Sequence, residues 1–395
     1  MSLLTEPKAL EASAIELSKK ARAENGSPIA LFKNFLQVEE ERLREWHRDG
    51  GGGREIARHR ADTVDILLRE LFDGIVREVA TAPLAGRLCV TAFGGYGRRE
   101  LTPMSDIDVL FLQDKSTRDK EAEEIIRRTV VALWDIGFKV GQATRNISEA
   151  IEKSNEDMVT KTSMLESRYL AGDREIFNRF KERFQRECIV GREQEYIGWR
   201  LANQGEMRAK YGLSVFMQEP NIKNGTGSLR DYQSLLWISQ FKYGITTTAK
   251  LVEAKILRDA ERRNLEKSYD FLLRTRAEMQ YINGRSAEVL TLQLQGKVAQ
   301  AFEYPQKNIL RKVEAFMREY YGHARTIYLV TESALRKMEA IPPPARSGLL
   351  RLFGVRQKPE KLDRFIISNG RIEPESRDIF NDDPYRLMRA FHHAQ

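Results

Sequence analysis

The stretch Phe93-Gly-Gly-Tyr-Gly-Arg-Arg-Glu-Leu-Thr-Pro-Met-Ser-Asp-Ile-Asp-Val-Leu-Phe-Leu112 decides the fold. It follows Leu88-Cys-Val-Thr-Ala-Phe93, a short apolar run of strand formers, and ends in Ile107-Asp-Val-Leu-Phe-Leu112, a second buried strand. Residues 118–136 follow with Ile125, Ile126, Val130, Val131, Leu133 and Trp134 at helical spacing, and Gly137 closes that helix. A third strand is expected over 138–144. Strand, glycine turn, strand, helix, strand makes a small α/β unit. Upstream, the apolar spacing of residues 61–80 predicts a helix with one buried face.

Asp106 and Asp108 sit one residue apart in the second strand, so both carboxylates project from one face while Ile107 and Val109 point to the other. Two ionised carboxylates this close raise each other's pKa, and a divalent cation removes that penalty. Magnesium takes hard oxygen ligands, which makes this pair the candidate Mg2+ site and the candidate catalytic pair. Gly94, Gly95 and Gly97 lie on the turn leaving the first strand, where bare backbone lets amide groups reach phosphate oxygens. Arg98 is placed to pair with a phosphate, Arg99 is a weaker candidate, and the Ser105 hydroxyl is a candidate donor to a γ-phosphate. A glycine turn alone is usually only a turn, and an Asp-x-Asp alone is usually a solvated pair. The two together, each beside a buried strand, point to nucleotidyl transfer.

The rest of the chain frames this unit. With 395 residues, 31% charged and 41% hydrophobic, the composition suits two or three globular domains. No apolar run is long enough to span a bilayer, and the N-terminus lacks a signal pattern. Two cysteines, Cys89 and Cys188, far apart, argue against a disulfide framework or a cysteine-based zinc site and fit a reducing cytoplasm. The net charge of +8 suits phosphate-bearing ligands, an acidic partner or nucleic acid, although most of these residues read as a solvated surface with no nucleic-acid-binding block.

Four segments are expected: a helical N-terminal extension over 1–58, with 50–53 as a flexible glycine break; the catalytic domain over 59–150; a helical domain over 151–340; and a linker with a hairpin and helix over 341–395. Helices are predicted over 156–171, 173–186, 192–211, 229–242, 249–284 and 296–338, with apolar and aromatic positions at 269–283 and 314–328 as core. The loop Lys223-Asn-Gly-Thr-Gly-Ser228 interrupts them. Lys223 and Arg230 are candidate nucleotide contacts, and Asp231 reads as structural. The tail reads as a hairpin with an Asn369-Gly370 turn, then a helix from Asp383 that runs to Gln395 without a stop signal, which suggests a chain cut from a longer protein.

Gly-Gly, about ten residues, then Asp-x-Asp in a strand is similar to the signature of the DNA-polymerase-β-like nucleotidyltransferases. The fuller form Gly-Gly-Tyr-Gly-Arg-x-Glu-Leu-x-Pro-x-Ser-Asp-Ile-Asp resembles the bifunctional uridylyltransferase/uridylyl-removing enzymes that act on the nitrogen-signal protein PII. The resemblance extends through His59-Arg-Ala-Asp-Thr-Val-Asp65, Leu133-Trp-Asp-Ile-Gly-Phe-Lys-Val-Gly141, the run from Asp157 to Gly172 and the 223–231 segment, and covers nearly the whole chain from about residue 29. It implies an α+β fold, with a small mixed-sheet nucleotidyltransferase domain before a mainly helical one. It also implies UTP as donor and a tyrosine of PII as acceptor, with diphosphate released.

Three departures matter. The third strand, Val140-Gly-Gln-Ala-Thr-Arg145, carries no carboxylate, leaving Asp157, Glu166 or a water as alternatives. None of the five histidines forms the His-Asp dipeptide that the family's hydrolase uses, so uridylyl removal is not expected of this chain. The family's sensing domains are not in this sequence. Transfer of another nucleotide such as AMP, transfer to another acceptor, and nucleotide binding without turnover are the alternative readings.

Overall fold

The structure is a computed structural model; it describes residue 16, residues 28–84, 86–114 and 119–339, and shorter pieces at 360–362, 364–368, 371–376 and 383. Residues 1–340 form one compact unit and residues 341–395 a second.

The first unit opens with helices α1 (Pro28–Arg48) and α2 (Gly53–Val79). The sheet holds β1 (Cys89–Ala92), β2 (Ile107–Gln113), β3 (Val140–Asn146) and β4 (Arg168–Gly172) in the order β3-β2-β1-β4. β2 and β3 are parallel, joined by the crossover helix α4 (Lys120–Ile136), and the other two pairings are antiparallel. Asp119 caps α4 by accepting from the Ala122 amide, and Gly137 ends it in the left-handed conformation at φ 114°. The mixed sheet followed by helices is the α+β architecture that the sequence led us to expect.

Side-chain alternation along β2 divides the interior into two cores. Ile107, Val109 and Phe111 face one core, built with α1, α2 and α4. Leu110 and Leu112 face another. This second core is covered by α5 (Ile147–Glu156), α6 (Met158–Leu165), α7 (Arg174–Phe184) and α8 (Glu193–Tyr211), with Trp237 and Phe241 from α9 (Leu229–Tyr243). Asp106 and Asp108 lie at the open end of that second face. A single π-helical turn, Gln185–Ile189, follows α7. Helices α10 (Thr248–Glu253), α11 (Asp259–Asn283), α12 (Leu292–Ala301) and α13 (Ile309–Lys337) complete the unit. Tyr269, Met279, Phe316, Met317 and Tyr320 are core residues as expected.

The structure corrects the sequence reading at three of the expected helices. The helix expected over 156–171 stops at Leu165, and Arg168–Gly172 is the edge strand β4. Arg-Tyr-Leu-Ala suits either state; pairing with β1 and burial of Leu170 and Ala171 select the strand. The single helix expected over 249–284 is broken between α10 and α11, where Lys255 takes φ 58°. The one expected over 296–338 starts earlier, at Leu292, and breaks around Pro305 before Asn308 caps α13.

The glycines at 50–53 are not a flexible linker. The Gly51 Cα packs on the Trp46 indole, and a Cβ at Gly53 would run into the backbone of Asp270, Leu273 and Arg274 on α11. The bare backbone there lets α2 and α11 meet, with the Arg54 amide donating to Asp270 Oδ1 at 2.8 Å. α2 runs unbroken through residue 58.

The second unit contains β5 (Glu360–Leu362), β6 (Phe365–Ser368) and β7 (Arg371–Pro374) in one antiparallel sheet. β6 and β7 form the expected hairpin; its Asn-Gly turn and the helix expected after Asp383 lie outside the described residues.

Two glycine substitutions on α2 should behave oppositely. Gly53→Val forces the α2–α11 backbones apart and should cost about 1–3 kcal/mol. Gly74, with nothing near its Cα, should gain up to about 1 kcal/mol on replacement by Ala. Thermal unfolding of the two variants checks both signs.

Candidate active site

The Gly-Gly turn forms the one-turn helix α3 (Gly94–Gly97), just after β1. Gly94 takes φ 58°, and the first intrahelical donor is the Gly97 amide, so the Gly94 and Gly95 amides precede it. The turn is braced from behind. Asp65 of α2 accepts both terminal nitrogens of Arg168 at 2.5 and 3.0 Å, and Arg168 donates on to the carbonyls of Tyr96 and Gly97. Arg99 turns away towards Asp62 and Asp65, at 3.4 and 3.9 Å, which removes it from the phosphate candidates.

Asp108 lies between two glycines. A Cβ on Gly141, its register partner on β3, would collide with one carboxylate oxygen, and a Cβ on Gly94 would lie 3.2 Å from the other. Burial and the Asp106 charge push the Asp108 carboxyl up to about 6, against the opposing pull of Lys223 and Arg98. Neither Asp106 nor Asp108 has a side-chain hydrogen bond or ion pair among the described residues. Two hard carboxylates, one uncomfortable when charged and both without a cation, suit a divalent metal shared with phosphate oxygens. Among the described residues no group of three or more His, Cys, Asp or Glu side chains is gathered for a metal, so further ligands would come from substrate and water. At position 141 of the third strand any side chain would displace Asp108.

The two carboxylates open into a cavity of about 590 Å³ that also holds Gly94, Gly95, Arg98, Ser105, Lys223 and Arg230. Of the residues expected at the site, Gly97 is absent from its walls, as are the weaker candidates Arg99 and Asp157. A Cβ at Gly97 would strike the Glu166 carbonyl, so this glycine serves close packing of the turn against α6. The Ser105 and Thr102 hydroxyls are 2.8 Å apart, and Thr102 also accepts from Arg276.

Arg98 is already engaged. It donates to Glu100 at 2.9 Å and to Glu166 at 2.5 Å; burial opposes its charge, but these two carboxylates outweigh it. Glu166, whose carboxyl is itself pushed up by burial, also accepts from the Trp237 indole at 2.5 Å. It is therefore a strut between the glycine turn and α9. Asp157 caps α6 through the Val159 and Thr160 amides and is not in the cavity wall. Asp231 is structural, accepting from Gln204, Arg208 and the Gly227 amide.

Arg230 differs from Arg98. It is buried, its closest polar partner is Asn224 Oδ1 at 3.5 Å, and it has no carboxylate partner among the described residues. Burial, then Arg98 and Arg200, bring its pKa down to about 10. Arg200 on α8 is similar: 4% exposed, lowered by burial, with one hydrogen bond to Asn203 at 2.9 Å and a buried Nε without a partner. Both guanidinium groups lie against the Trp237 ring, at 5.2 and 5.0 Å. Lys223, 3.8 Å from Glu288, is lowered by burial and by Arg276. The cavity is thus polarised, with unpaired carboxylates on the sheet side and unpaired cations on the α8–α9 side. Sequence reasoning missed Arg200 and Trp237. The one available signal was their shared helical region, and neither carries a motif.

Comparison with known proteins gives two family matches along the chain. Residues 40–161 match the nucleotidyltransferase family DUF294, and residues 197–335 match the GlnD PII-uridylyltransferase family. The chain is 34% identical over 390 residues to a bifunctional uridylyltransferase/uridylyl-removing enzyme of Caulobacter vibrioides, covering 97% of the chain and 41% of that protein. Proteins of the same name are 35% identical in Phenylobacterium zucineum (97% of the chain, 41% of the relative) and 32% identical in Azospirillum brasilense (93% and 40%). The chain therefore spans about two fifths of the length of the curated relatives it matches.

The raised carboxyl gives a signed stability test. A carboxyl lifted in the fold stabilises the folded state fully below its ordinary value of 3.8, and that contribution is lost as the pH climbs through about 6. In metal-free buffer, Asp108→Asn should gain about 1–2 kcal/mol over the parent at pH 8, allowing for screening of a half-buried group, and little at pH 4. Urea unfolding across that range checks it; a gain independent of pH would contradict the electrostatic account. Nearly the whole chain is thus similar to a part of the uridylyltransferase/uridylyl-removing enzymes, and the two family matches fall on the segments that supply Asp106 and Asp108 on one side and Arg200, Lys223 and Arg230 on the other.

Proposed function

We propose that this chain transfers a nucleoside monophosphate, UMP from UTP, onto a tyrosine hydroxyl of a PII-type signal protein, with diphosphate leaving. The observation that carries this is the polarity of the cavity. Unpaired Asp106 and Asp108 face the glycine turn on one side, and unpaired Arg200 and Arg230 lie on the other. A metal-bound triphosphate has the matching pattern, with cation at one end and dense negative charge along its length.

Asp106 and Asp108 would hold Mg2+, which when bound neutralises phosphate charge and makes the α-phosphorus electrophilic. The Gly94 and Gly95 amides approach the phosphates without side-chain obstruction, and Ser105 offers a hydroxyl beside them. Arg230, Arg200 and Lys223 neutralise the phosphate tail, and the phosphate charge offsets the burial that lowers their pKa values. Glu166 positions Arg98 and Trp237. The uridylyltransferase names of the relatives support UTP and PII as donor and acceptor. Among the described residues no helix is long and apolar enough to cross a membrane.

The test is incubation with Mg2+, each labelled NTP in turn and a PII protein, followed by detection of label on protein. Transfer from UTP is expected; binding without transfer would favour a regulatory module, and transfer from ATP alone would favour adenylyl transfer. Asp106→Asn and Asp108→Asn should each lower transfer by at least about a hundredfold with an unchanged circular dichroism spectrum. Arg230→Gln should act mainly on the KM for NTP, and chelation of metal should abolish activity reversibly.

A further inference from the structure

One part of the cavity wall differs in character from the rest. Val159 and Ser163 of α6 and Trp199, Asn203 and Met207 of α8 all line it and none carries a charge. Their spacing, four residues on α6 and four plus four on α8, puts each set on one helix face. Trp199 is half-buried, packed on the second core beside Tyr196 with ring centroids 6.0 Å apart, so the indole is a supported apolar plate. The charged groups suit a polyphosphate, whereas an aromatic plate flanked by a thioether and neutral polar groups suits a planar heterocycle.

Asn203 gives this wall a direction. Its Oδ1 accepts from Arg200 at 2.9 Å. Arginine only donates, so this bond fixes which end of the amide is which. One lone pair of the oxygen is taken, and the Nδ2 amino group, with no hydrogen bond among the described residues, is the end with most left to offer a ligand. We infer that the α6–α8 wall is the base subsite and that Asn203, oriented by Arg200, donates to an exocyclic carbonyl oxygen of the base, as uracil presents where cytosine presents an amino group. This rests on reading the cavity as a nucleoside triphosphate site. An amino group placed against the Asn203 amino group would set donor against donor and leave both without an acceptor, which disfavours cytosine and adenine alike. One residue then serves two ends of the substrate: Arg200 meets the phosphates and also holds the amide that reads the base.

UTP and CTP share ring size and phosphates, so their ratio isolates the pyrimidine edge. Calorimetric titration of the full chain with UTP, CTP and ATP in Mg2+ should show UTP binding tighter than CTP and ATP. Asn203→Asp replaces the donor with an acceptor and should narrow the UTP:CTP affinity ratio at least about tenfold, even though the added charge weakens all three nucleotides. Asn203→Ser, which adds no charge, should narrow it less and leave thermal stability unaltered. Equal binding of UTP and CTP by the parent, or loss of both by the same factor in Asn203→Asp, would overturn the assignment of Asn203 while leaving the cavity as a nucleotide site. Failure of the parent to bind any of the three would instead overturn the function on which the assignment rests.

Discussion

The arrangement depends on one unfavourable charge. Asp108 lies partly buried at the end of β2, beside a second carboxylate, in a space that exists only because Gly94 and Gly141 have no side chains. A carboxylate is not stable in such a place without compensation, and among the described residues none is bonded to it. The surrounding structure keeps that compensation from coming from within. The nearest guanidinium, Arg98, is held by Glu100 and Glu166, and Lys223 is drawn towards Glu288. The carboxylates stay available for a cation that arrives with a ligand.

The helical side contributes the opposite imbalance. Arg200 and Arg230 flank one indole and stay partly unsatisfied, while Glu166 ties that indole to the glycine turn. The sheet and the helices are thus linked by the Glu166 strut and separated by a cavity with unmatched charge on each wall. Attraction between those walls is replaced, when a ligand enters, by bonds to the ligand. This is preorganisation in the electrostatic sense: the dipoles and charges are positioned before substrate binds, and folding has already met their cost.

The sheet half of this design was readable in the sequence. Asp-Ile-Asp at a strand entry and a glycine turn are local patterns, and period-two burial along β2 followed from them. The α8–α9 half was only partly readable. Arg230 lay next to a glycine loop and attracted notice, whereas Arg200 looks like any arginine on a polar helix until α8 packs against Trp237. β4 was hidden because its residues suit a helix equally well, and only the partner strand β1 decides. The glycines at 50–53 looked like slack because composition cannot reveal that α11, more than two hundred residues later, packs on them. Arg98 shows the converse: the motif places it in the cavity wall, yet its neighbour Glu100 and the distant Glu166 engage its charge.

The bare Cα of Gly141 couples two positions that the sequence keeps on separate strands. Any side chain at 141 would claim the volume that an Asp108 carboxylate oxygen holds, so a larger residue there requires Asp108 to move. The two positions can therefore vary only together.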